Sequence, residues 1–113
     1  MDVVAEVCDL PVRFKTRGDA SVAMLVDESG YRQTPSALTV ETVSAHLERR
    51  PDLVDAWFGY SEDKRASSGW YVTERSAGMF EVGHYPSGER LSMTARVRAC
   101  AEFIVREVRA IAG

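Results

Sequence analysis

The chain has 113 residues, one domain's worth of sequence and enough to bury a sizeable core. Its hydrophobic content of 45% and charged content of 27% exclude a disordered chain, and a formal net charge of −3 lacks the basic footprint of a general nucleic-acid binder. Two cysteines, Cys8 and Cys100, stand far apart with no CxxC and no Cys/His cluster, which argues against structural zinc and reads as two reduced, buried thiols, although one disulfide is permitted.

The first ten residues carry Asp2, Glu6 and Asp9 and no basic cluster, so they do not resemble a secretory signal. No apolar run approaches the ~20 residues of a membrane span. A single cytoplasmic domain covering residues 1–113 is therefore expected.

In chain order, Val3, Val4 and Val7 share a helix face. Pro11 ends that helix, and a short extended piece is expected over Val12–Lys15. Asp19 then caps a helix over Ala20–Ser29, with Gly30 as its stop. Val22, Met24 and Val26 also alternate as in a strand, but the helical spacing of Val22, Leu25 and Val26 is favoured. Tyr31–Ala37 reads as a loop. Thr39 caps a helix over Val40–Arg49, with Glu41 in its first turn to suit the helix dipole. Pro51 opens another helix, whose Leu53, Val54, Trp57 and Phe58 share a face as far as Tyr60. Ser61–Ser68 reads as a polar connection.

A β-meander follows. Gly69–Glu74 and Met79–Tyr85 alternate, with Arg75–Gly78 as a four-residue hairpin loop. Pro86, Ser87 and Gly88 form the second turn, and Arg90–Met93 the third strand. Alternation puts Trp70, Val72, Phe80, Val82, Leu91 and Met93 on one apolar face, with Tyr71, Thr73, Met79, Glu81, Gly83, Tyr85 and Ser92 on the other. The last helix takes Thr94 as its cap and runs to Ala112. Val97, Ala101, Ile104, Val108 and Ile111 fall within about 80° of one another, a buried stripe. Helices followed by strands and a final helix predict an α+β domain: N-terminal helices, a three-stranded antiparallel meander and a long amphipathic helix packed on the sheet.

The search for chemistry returns no GxGxxG, no P-loop and no RNP pattern. His46 lies on a helix beside Leu47, and His84 ends the second strand at the rim of the core. Cys100 flanks the buried stripe, where a thiol is inert. No catalytic residue, metal site or cofactor is expected. The cluster Tyr60-Ser61-Glu62-Asp63-Lys64-Arg65 and the aromatic, polar sheet face have the mixed composition of protein hot spots.

The runs Gly69-Trp70-Tyr71-Val72, Phe80-Glu81-Val82-Gly83-His84-Tyr85 and Ala99-Cys100-Ala101-Glu102-Phe103-Ile104 resemble small bacterial α+β proteins, some of which are encoded as immunity proteins beside polymorphic toxins. The resemblance spans about the last 45 residues and rests mostly on fold-specifying apolar positions. It implies a non-enzymatic protein that blocks a toxin by occluding its active site, and it assigns no binding residue. The residues themselves nominate Glu62, Asp63, Arg65, Tyr71, Glu81 and Tyr85 as the partner-binding set. The partner expected is a protein, with no nucleic acid and no membrane. A small-ligand or enzymatic cleft between the sheet face and the N-terminal helices, lined by Tyr71, Glu81, Tyr85 and His84, is the alternative. A homodimer through Phe103, Ala99 and Ala110 is the third.

Overall fold

The computed structural model describes residues 2–64 and 69–113. Within them the chain forms the expected α+β fold, in the order α1 (Val3–Cys8), α2 (Leu10–Thr16), α3 (Val22–Glu28), α4 (Val40–Arg49), α5 (Pro51–Lys64), β1 (Gly69–Ser76), β2 (Met79–Tyr85), β3 (Arg90–Met93) and α6 (Arg96–Ala112). The candidate Arg65 lies outside the described residues.

The helical half departs from the sequence reading at its boundaries, each time for a local reason. Val12–Lys15 is helical, not extended, because Pro11 falls in the first turn of α2, where its missing N–H leaves no bond unmade. The cap of α3 is Ser21, not Asp19: its hydroxyl accepts from the Met24 amide at 3.1 Å. Gly30 turns the chain out at φ 83°, a left-handed conformation that glycine adopts without steric cost. Pro35–Ala37, within the expected loop, makes one 3₁₀ turn. α4 begins at Thr39 as expected, and Thr42 answers Thr39 in a reciprocal cap. α5 continues one turn beyond Tyr60, so Ser61, Glu62 and Asp63 belong to a helix and not to a connection.

The sheet follows the expected faces. β2 is central, with Val72 opposite Val82, Glu74 opposite Phe80, Val82 opposite Leu91 and Phe80 opposite Met93. The first hairpin is tighter than expected. β1 extends to Ser76, the register slips between Glu74 and Ser76, and the turn shrinks to Ala77-Gly78 with Gly78 at φ 77°.

The apolar sheet face rests on α6, which touches all three strands, and on α5. α3 and α4 pack behind α6, and α1 and α2 join them through α4, α3 and α5. Helix α6 is therefore an interior element and buries more than one stripe. Ala101, Ile104 and Val108 are fully buried, and so are Ala99, Cys100 and Phe103 on its flank. Phe103 has no exposed surface and meets Trp57 edge-to-face at 6.0 Å, so it is a core residue and not part of the outer face on which a homodimer was expected. The expected cap Thr94 is also displaced. Ala95 occupies the N-cap position of α6 and offers no side-chain bond. Both cysteines are buried free thiols, and burial pushes Cys8 up to about 12 and Cys100 upward in the same way. Among the described residues, no helix is long and apolar enough to cross a membrane.

Candidate functional site

The face of the sheet turned away from the helices carries Tyr71 and Thr73 from β1, Met79, Glu81, Gly83 and Tyr85 from β2, and Arg90 and Ser92 from β3. Such a face normally meets water. Here Glu81, in the middle of the central strand, keeps only 7% of its surface exposed. Two side chains close over it. The Tyr71 hydroxyl donates to Glu81 Oε2 at 2.6 Å, and Arg75 Nη2 donates to the same oxygen at 2.7 Å. The bulge between Glu74 and Ser76 marks where Arg75 leaves the regular pairing of β1, and its side chain reaches back to the carboxylate.

These bonds set the charge state. Arg75, then Tyr71, hold the Glu81 carboxyl below its usual range, with the nearby Arg90 adding to the effect. Burial, then Glu81, pushes the Tyr71 phenol up. The site is therefore a fixed ion pair with a neutral phenol, and its carboxylate is poorly disposed to take a proton near neutral pH.

Tyr71 reaches Glu81 by crossing Gly83, its opposite number on β2. A Cβ at Gly83 would lie 2.3 Å from the Tyr71 hydroxyl oxygen and 2.4 Å from Cζ. Only glycine lets the ring lie flat across the central strand. The same ring stacks on Tyr85 at 5.3 Å with a 26° interplanar angle. Tyr85 remains 50% exposed and Met79 41%, both among the exposed large apolar side chains of the described residues.

One edge of this face is closed. The Ser61 hydroxyl of α5 accepts from the Val72 amide at 2.9 Å and donates to the Val72 carbonyl at 3.1 Å, standing in for a fourth strand. A groove of about 370 Å³ runs beside it, lined by Phe58, Ser61, Glu62 and residues 71–74.

The nominated residues divide accordingly. Tyr71, Glu81 and Tyr85 come together, and Glu62 borders them through the groove. Asp63, one helical step further, lines a separate cavity against α2 and α3. His84 points to the other face, where its ring packs on Trp70 at 4.8 Å and Nδ1 bonds Ser87 Oγ at 2.9 Å, so it lines no cleft with Tyr71. The cleft expected between the sheet face and the N-terminal helices takes the form of this groove against α5, whose lining includes Tyr71 but not Glu81, His84 or Tyr85. Sequence reasoning missed Arg75, Arg90 and the purpose of Gly83. An arginine and a glutamate on facing arms of a hairpin were the available signal for Arg75. Among the described residues, no group of three or more His, Cys, Asp or Glu side chains is placed to hold a metal.

No protein-family model matches the chain, nor does any curated protein or solved structure.

Proposed function

We propose that the protein is a protein-binding module whose recognition surface is the open sheet face, with Tyr71, Tyr85, Met79, Arg75 and Arg90 as the contact set. The observation that supports this most is the covered carboxylate. Glu81 holds Tyr71 and Arg75 in one arrangement on an otherwise exposed surface. Tyrosine and arginine dominate binding hot spots, and holding them before the partner arrives lowers the entropy lost on association. In this reading Glu81 positions the contact residues and does not itself meet the partner. Its charge is taken up by Arg75, which leaves Arg90 to bias the face toward an acidic patch. Glu62 belongs to the rim. The narrower form of the proposal is an inhibitor of the immunity type that covers a toxin's active site, since a face that leaves Tyr85 and Met79 exposed suits steric occlusion better than enclosure of a small molecule.

The test is capture of a partner from the source cell on tagged wild-type protein, on R75A/Y85A and on the control R109A. The partner should be held by wild type and control and lost by the double variant. With the purified pair, the double variant should weaken binding by about 2–4 kcal/mol in calorimetry. A partner that binds R75A/Y85A at full affinity would place recognition elsewhere. If the partner is an enzyme, the same variant should fail to inhibit it.

A further inference from the structure

A second recess lies on the other side of α5. It is a half-open recess of about 430 Å³ between α2, α3 and α5, lined by Pro11, Phe14, Lys15, Val22, Ala56, Tyr60 and Asp63. This volume falls within the range of small-ligand pockets, about 300–1,000 Å³. Most of the wall is apolar. Tyr60 contributes its ring, because its hydroxyl is committed to the buried Glu107 at 2.7 Å. Phe14 keeps 43% of its surface exposed while forming part of this wall, an apolar area that an occupant would cover.

The charged groups of the lining are one cation and one anion, Lys15 and Asp63. Among the described residues neither has an ion-pair partner, and they do not bridge each other. Oppositely charged neighbours left unpaired beside an apolar recess match a ligand that brings both charges itself. We infer that the recess binds a small apolar zwitterion, of which a hydrophobic α-amino acid is the simplest member. Its side chain sits against Pro11, Phe14, Val22 and Ala56. Its carboxylate meets Lys15, and its ammonium meets Asp63. An uncharged apolar molecule would leave both charges unanswered, and a simple acid or amine would leave one, with the other repelling it. This inference does not rest on the sheet-face reading, because Asp63 and the recess face away from the Tyr71 groove.

The test is a heteronuclear NMR titration of the full chain with L-phenylalanine, 3-phenylpropionate and phenethylamine. L-Phenylalanine should give saturable shifts at the Val22 and Ala56 amides, with dissociation at or below the millimolar range. Each singly charged analogue should bind about tenfold more weakly or worse. K15M and D63N both change exposed side chains and should keep the dispersed spectrum of the folded protein while each weakening L-phenylalanine by a similar factor. No saturable shift at tens of millimolar would overturn the inference. So would equal affinity for either analogue, or unchanged affinity in both variants.

Discussion

Glu81 is covered by Tyr71 and Arg75 and not by depth in the core, so its properties depend on these two neighbours. Arg75→Ala should raise the Glu81 carboxyl toward the ordinary carboxylate range, read directly by NMR titration of its side-chain carbon. The linkage has a definite sign. A carboxyl held low in the folded state adds stability above its unfolded value, about 4.3. That contribution is lost as the pH falls through the folded value. Wild type should therefore lose more urea resistance than R75A between neutral pH and the acid side of this window. A flat difference between the two would show that the pair carries no linkage. Gly83→Ala tests the crossing ring. Tyr71 must leave Gly83, the bond to Glu81 breaks, and stability should fall by about 1–3 kcal/mol in denaturant unfolding. Tyr71→Phe, which removes only the hydroxyl, should cost about 0.5–1.5 kcal/mol. Phe103→Ala should cost about 3–5 kcal/mol by opening a cavity beside Trp57. The sequence marked Glu81 as central in its strand, yet it could not show the carboxylate covered. Coverage depends on a one-residue bulge at Arg75, and period-two alternation has no means of placing a bulge.

At the level of elements, legibility followed periodicity. The strand faces and the stripe on α6 were readable because Val72, Val82, Ile104 and Val108 repeat with the period of their element. The last turn of α5 was not, because Ser61-Glu62-Asp63-Lys64 is polar throughout and looks like a connection. It has neither glycine nor proline, and Ser61 faces inward to do the work of a strand. Ser61→Ala should leave the Val72 amide and carbonyl without their partner and cost about 1–3 kcal/mol, whereas Ser61→Thr, which keeps the hydroxyl, should cost less. The start of α6 offers the opposite case. Ala95 has the extended backbone of an N-cap, φ −95° and ψ 115°, and no side-chain acceptor. Ala95→Asp should stabilise the protein by about 0.5–2 kcal/mol, measured as a higher urea midpoint with unchanged slope. The adjoining Thr94 was the plausible cap by type, and the chain enters the helix one residue later.

For the whole molecule, the layers decide what is available for function. The helices α3, α4 and α5 with the sheet surround α6, so its flank residues are structural even where they fall off the buried stripe, and Phe103 is the plainest instance. No helical period in a single segment announces that a helix will be enclosed on several sides, because enclosure is a property of the other segments. Two accessible features of the described residues lie on opposite sides of α5: the groove at the sheet face and the recess lined by Phe14. α5 therefore supports both, and a shift of its last turn would reach Ser61 and Asp63 together. The position of α6 in the chain has a further consequence. The ribosome delivers α1 to α5 and the meander before it delivers the helix on which they assemble. Trp57, whose ring meets Phe103, and the strands that rest on α6 keep part of their apolar surface uncovered until that helix emerges, so these contacts can form only after α6 has been made.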